Sequence, residues 1–123
     1  FTAHVVVDDE ALRDGRAGSA GASVQLIPVE RVDYLRSDEK YTVVAWRAPD
    51  DAQRESVVRT ALRELVAQLD PALFVQVHPS WAVNLAQVSH VVRQDNETGV
   101  VHLHGRSETI PVSRSCIHLF RQM

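Results

Sequence analysis

The sequence predicts a mainly β domain in which short antiparallel sheets pack with one or two short helices. Three observations carry that expectation. Short runs rich in Val, Ile, Tyr, Phe and Trp alternate with polar residues at a period of two, the pattern of half-buried strands. Clusters of Asp, Asn, Ser, Gly and Pro interrupt those runs at close intervals, as turns do. One stretch, Thr60 to Leu69, instead places Leu62, Leu65, Val66 and Leu69 at i, i+3, i+4 and i+7, one face of a helix.

In chain order, His4-Val5-Val6-Val7 reads as a first strand, and Asp8 to Ser23 as a mobile loop with Gly15, Gly18 and Gly21. Val5 to Glu10 imitates the opening of a phosphoacceptor receiver domain, where paired acids at a strand end hold Mg²⁺. An acidic, glycine-bearing loop follows in place of the strands that would bring the phosphorylatable Asp and the Lys, so a solvated turn is expected. Residues 1–23 are thus expected to be a strand and loop of the same domain or a linker, and 24–123 the domain proper.

Val24 to Ile27 ends at Pro28, and Val32 to Arg36 leads through the polar Ser37-Asp38-Glu39-Lys40 into Tyr41 to Trp46, a hairpin with an exposed tip. After a break at Ala48 to Asp51, Glu55 to Arg59 forms another strand. Thr60 is expected to cap the helix, and Asp70-Pro71 to end it. Phe74 to Val77 and Trp81 to Leu85 are strands separated by His78-Pro79-Ser80. Val88 to Gln94 and Val100 to His104 pair about a turn in which Gly99 takes the left-handed position. Thr109 to Val112 is the last strand, with Pro111 demanding an edge or a non-bonded position because it lacks an N–H. Ser113 is then expected to cap a closing helix carrying Cys116, Ile117 and Phe120.

Composition bounds the function. No apolar run approaches the roughly 20 residues a membrane span needs. The chain opens at Phe1 without a secretory signal or an initiator Met, and is expected to be a piece of a longer protein. Cys116 is the single cysteine, so no internal disulfide forms, which fits a reducing cytoplasm. Net charge is -3, and all of the excess is N-terminal: residues 1–40 hold five basic and eight acidic residues, residues 41–123 eight of each. By itself that balance argues against a nucleic-acid binder, which usually shows a basic surplus.

Catalytic patterns are weak. His102-Leu103-His104 would project two rings from one strand face, but no third ligand follows at a recognisable spacing, so a solvated face is expected. No Gly-x-Ser-x-Gly elbow occurs, and Gly18-Ser19-Ala20-Gly21 lacks the Lys and Ser/Thr of a phosphate loop. Neither an enzyme nor a cofactor is expected.

Two motifs carry a resemblance. Phe74-Val75-Gln76-Val77-His78-Pro79-Ser80-Trp81-Ala82-Val83-Asn84-Leu85, followed later by Pro111-Val112-Ser113-Arg114-Ser115, resembles the LytTR family, the DNA-binding output domains of bacterial response regulators. There the corresponding segments run as a strand ending His-Arg-Ser, an aromatic, two apolar residues, Asn and Leu, and later a strand entering Val-Ser-Arg. The resemblance covers about Val24 to Met123. It implies three tips, Asp38 to Tyr41, His78 to Ser80 and Ser113 to Ser115, entering successive major grooves on one side of duplex DNA. By this resemblance Arg114 matches the base-reading Arg, Lys40 and Tyr41 match the first-loop contacts, Ser80 and Ser113 would donate to phosphate, and Ser115 stands at the same tip as Ser113. His78 and Asn84 also match, with the alternative that each satisfies buried backbone groups. Promoter DNA with paired direct repeats, and dimerisation through an upstream domain, are further implications.

Pro79 departs from the pattern, standing where the family usually has Arg or Asn. It has neither a side-chain donor nor an N–H, so a bidentate contact worth roughly 1–3 kcal/mol is lost. Arg36, Arg47 and Arg106 are candidates to compensate. Trp81, inside an alternating strand, is expected to anchor the core rather than stack on a base. The rival reading is a LytTR-fold domain turned to protein or ligand interaction.

Overall fold

The computed structural model describes residues 3–8 and 24–120. The loop expected from Asp8 to Ser23 lies outside them, apart from the backbone of Asp8. Ten strands form three antiparallel sheets: β1 (His4–Asp8) with β2 (Val24–Pro28); β3 (Val32–Asp38), β4 (Tyr41–Arg47), β5 (Gln53–Val58), β6 (Phe74–His78) and β7 (Trp81–Asn84) in the order β5-β4-β3-β7-β6; and β8 (Val88–Arg93), β9 (Gly99–Leu103) and β10 (Thr109–Val112) in the order β10-β9-β8. One short helix, α1 (Leu62–Ala67), and three single 3₁₀ turns complete the described residues.

The five-stranded sheet is covered on both faces, which is why its strands carry more apolar residues than simple alternation requires. One core holds Val32, Leu35, Val44, Trp46 and Ala82 of this sheet against Val5, Val7 and Ile27 of the β1–β2 hairpin and Leu62, Leu65 and Leu69. The other holds Tyr34, Ala45, Val77 and Val83 against Val101, Leu103, Ile110 and Val112 of the three-stranded sheet, closed by Ile117 and Phe120. Neighbouring residues of β3, β4 and β7 thus enter opposite cores, as the two-residue strand period dictates.

Two bulges adjust this pattern. Asp33 is the extra residue where the β3–β4 register shifts between Val32 and Tyr34, and it is fully buried. Val77 is the extra residue where the β6–β7 register shifts between Gln76 and His78.

Three local expectations are corrected. The helix begins after Ala61 with no side-chain cap; the carbonyl of Thr60 instead accepts a 2.7 Å bond from the Thr42 hydroxyl, which ties the helix entry to β4. Gly99 lies inside β9, and the left-handed residue of that turn is Glu97, at φ 63°. A Cβ at Gly99 would stand 2.6 Å from Ile117 Cδ1 and 3.3 Å from Val92 O, so the Ile117 side chain would have to shift to admit one. Among the described residues the closing helix is one 3₁₀ turn, Ile117–Phe120; Ser113 supports it through its backbone carbonyl, which accepts from Cys116 N at 3.0 Å. Pro111 does sit on an edge strand, β10.

Candidate nucleic-acid interface

Strand polarity brings the three tips to one end of the molecule. The β3–β4 hairpin turns in two residues, Glu39 and Lys40, with Asp38 opposite Tyr41 and Glu39 left-handed at φ 52°. Lys40 is exposed at the apex, and Tyr41 is 42% exposed. Because β3 also pairs antiparallel with β7, with Arg36 opposite Trp81, the β6–β7 loop lies beside this hairpin. Ser37 N donates to Ser80 O at 2.8 Å and fixes the two loops together.

The third tip is fixed by a similar bond. Ser113 N, at the end of β10, donates to Val77 O at 2.8 Å. Val77 can accept it because it is the extra residue of a bulge on an edge strand, where ladder pairing leaves its carbonyl free. His78 to Ser80 therefore stands between the other two tips, bonded to both sides.

Inside the middle loop the polar side chains hold shape. His78 Nδ1 accepts from Ser80 N at 3.0 Å, and Gln76 Nε2 donates to the carbonyls of His78 and Pro79, each at 3.3 Å. Pro79 at the apex is exposed, and His78 and Ser80 are half-buried. Asn84 is wholly internal: its Nδ2 donates to Val32 O and its Oδ1 accepts from Ala86 N, both at 2.9 Å. That is the backbone-satisfying role, and it removes Asn84 from the surface.

In the third tip Arg114 and Ser115 are exposed, and the Ser113 and Ser115 hydroxyls are 3.3 Å apart. Arg114 Nε donates to Asn96 O at 3.3 Å, so the β8–β9 turn flanks this tip. All seven candidates, Lys40, Tyr41, His78, Ser80, Ser113, Arg114 and Ser115, thus occur at one end. Sequence reading missed Arg59, just beyond β5, and Arg93, the last residue of β8; both are exposed and both strands run toward the same end. The register that shows it, Thr42 opposite Val58 and Arg93 opposite Gly99, becomes visible only once strand order is known. Asp38, Glu39, Asp95 and Glu97 stand among these cations, so this end is charged without being strongly basic.

Trp81 is half-buried against Tyr34, ring centroids 5.5 Å apart, and the Arg36 guanidinium lies over its outer face at 6.0 Å. Arg36 Nη1 is also 3.8 Å from Asp38 Oδ2, which turns it toward the first tip.

Arg47 and Arg106 do not reach the tips. Both donate through Nε to Asp33 Oδ2, at 3.0 and 2.5 Å. Arg106, with 2% of its side chain exposed, also bonds Glu108 Oε2 at 3.0 Å and lies over the Tyr34 ring at 5.3 Å. Arg47 Nη2 donates to His104 O, and Gln53 Nε2 to Gly105 O at 2.8 Å. This network fastens the β9–β10 loop to the far end of the five-stranded sheet. Burial works against the Arg106 charge, but the bond to Asp33 and the charges of Asp33 and Glu108 outweigh it and raise its pKa. Glu108 is held below the usual carboxylate range by its own backbone N–H, with Arg106 assisting against burial. The Tyr34 hydroxyl, which donates to Glu108 at 3.3 Å, is pushed from 10.0 up to about 12, by burial first and the Glu108 charge second.

A three-sheet β fold that gathers loop tips at one end and leaves its helix small defines a class of loop-presenting domains, and the comparisons specify which. The LytTr DNA-binding domain family matches residues 22–123, and the chain belongs to it. A LytTr DNA-binding domain from Bacillus cereus has the same fold, with a TM-score of 0.74 at 20% identity, over 99% of this chain and 96% of the other. The chain is 34% identical over 103 residues to an uncharacterized response regulatory protein of Vibrio cholerae, covering 84% of this chain and 38% of the relative. It is 32% identical over 97 residues to the transcriptional regulatory protein YpdB of Escherichia coli, covering 78% and 37%. The chain thus spans well under half the length of these curated relatives. No helix among the described residues is long and apolar enough to cross a membrane.

Proposed function

We propose that this domain binds double-stranded promoter DNA sequence-specifically and is the output module of a cytoplasmic two-component response regulator. The observation that carries the reading is the pair of 2.8 Å backbone bonds, Ser37 to Ser80 and Ser113 to Val77, which hold three polar loop tips as one rigid end. Preorganised tips lose little conformational entropy on entering a groove. Arg114 reads guanine, Lys40, Ser80, Ser113 and Ser115 hold phosphates, and Tyr41 and His78 line the approach; Arg59 and Arg93 extend the phosphate track. Paired direct repeats as target, dimerisation through an upstream domain, and the lack of a catalytic role belong to the same reading.

Selection of bound sequences from random duplex DNA tests it and supplies the site. An enriched motif whose affinity falls steeply with added salt is expected, because each neutralised phosphate releases a counterion. Recovery of no motif refutes the reading. One feature favours a second reading, a LytTR domain turned to protein or ligand interaction: Pro79 removes a donor at the centre of the face, where cations and carboxylates alternate. Salt-insensitive or absent retention on duplex DNA would select it.

A further inference from the structure

We propose that His90 and His102 form a binding site for a borderline divalent transition-metal ion of the zinc and copper class, on the outer face of the three-stranded sheet. The two residues are direct partners across β8 and β9, with ring centroids 4.4 Å apart and planes within 6°. Val101 and Leu103 on either side of His102 are buried in the core, so His102 projects the other way, beside an exposed His90. The pair that matters is cross-strand. His104, which sequence spacing matched with His102, lies beyond the end of β9.

Stacked rings direct their lone pairs side by side rather than to one point, so the geometry needs a small change. Two metal–nitrogen bonds of about 2.0–2.1 Å at a tetrahedral angle span about 3.4 Å. The rings lie nearly parallel, so each must tip inward to bring its nitrogen to that separation, and the terminal torsion of histidine is broad enough to allow it. A supporting bond is already present. Ser89, the extra residue of a β8 bulge, sets its hydroxyl 3.1 Å from His90 Nδ1. With Nδ1 protonated and donating to that oxygen, Nε2 keeps a free lone pair, the tautomer and orientation of a metal-ligating histidine. Among the described residues no third His, Cys, Asp or Glu completes a cluster, so the remaining positions stay open to water or to a ligand from another molecule. Imidazole donors without thiolate or carboxylate favour zinc, copper or nickel over calcium or magnesium.

The test uses the whole chain and zinc ion alone, followed by calorimetry and by NMR of the histidine rings. One saturable site is expected, shifting the Nε2 signals of His90 and His102 while those of His78 and His118 stay in place. His90→Gln and His102→Gln each weaken binding by more than Ser89→Ala, which costs about tenfold through the lost supporting bond. His104→Gln binds as the parent does. Undiminished affinity in His102→Gln, or ring shifts centred on other histidines, overturns the site and leaves the two rings a stacked pair on a solvated strand. None of these outcomes depends on DNA binding.

Discussion

At one end of the five-stranded sheet Arg106 has 2% of its side chain exposed and is held by Asp33 and Glu108; at the other, exposed Arg114 touches a single backbone carbonyl at 3.3 Å. Both are arginines beyond a strand end in the same C-terminal part of the chain. What separates them is a buried carboxylate: Asp33, turned inward by the β3 bulge, captures Arg47 and Arg106. A count of basic residues is therefore a poor measure of this domain's reach for DNA, since part of the positive charge neutralises the interior. The same partition removes two of the three arginines that were candidates to offset Pro79.

The largest expected effect lies at the buried end. Arg106→Met leaves the buried Asp33 with Arg47 as its one remaining ion-pair partner, and should destabilise the fold by about 3 kcal/mol, the low end for a broken buried pair. Urea denaturation reads it directly. Adding Asp33→Leu should restore only part of that loss, because it removes the desolvation penalty of Asp33 but leaves Arg47 without its carboxylate. If Arg106→Met weakens DNA binding without loss of stability, the division between the two ends is wrong.

Arg114→Ala should do the reverse. Loss of a bidentate base contact is expected to cost about 1–3 kcal/mol of specific affinity, and denaturation should be unchanged within about 0.5 kcal/mol, the usual range for a surface position. Arg54→Ala is the control: it is exposed on β5 opposite Trp46, away from the tips. Equal affinity losses in the two variants would remove Arg114 from its role.

Pro79→Arg sharpens the comparison from the other side by returning a donor to the middle tip. A gain in affinity of up to about 1–3 kcal/mol is the bound set by one bidentate contact, and the gain should be smaller because a free side chain must be ordered. Gel-shift titration on the selected site reads it. No gain would mean that the loop shape set by His78 and Gln76, rather than the missing side chain, controls the middle contact.

Much of the fold was legible because each strand's pattern is local: Tyr41 to Trp46 and Phe74 to Val77 declare themselves by β-branched and aromatic residues. The seven site candidates came from motif resemblance, and the two backbone bonds joining their tips follow from strand order and a bulge at Val77, neither of which a linear pattern encodes. Asp33 was illegible for a related reason. In a strand a single polar residue reads as solvent-facing, and only a register shift together with Arg106, 73 residues on, makes burial tolerable. Thr60 was read as a helix cap because local propensity favours it, whereas a tertiary bond from Thr42 takes its carbonyl.

The smallest expected effect separates the ends by pH. Tyr34 is 4% exposed and titrates near 12 when folded, against 10.0 for an ordinary tyrosine. Between those values the unfolded chain has released the phenolic proton and the folded chain still holds it. The unfolded state then binds fewer protons, so stability falls as pH rises through this window and is fully present below 10. In Tyr34→Phe that component of the alkaline loss should vanish, while near neutrality the variant should lose about 0.5–1.5 kcal/mol with the bond to Glu108. Urea midpoints measured from pH 9 to 12 for the two proteins should converge and then cross as pH rises. If instead they run parallel, the Tyr34 phenol is not held neutral by the interior, and the network around Glu108 is more open to water than its burial implies.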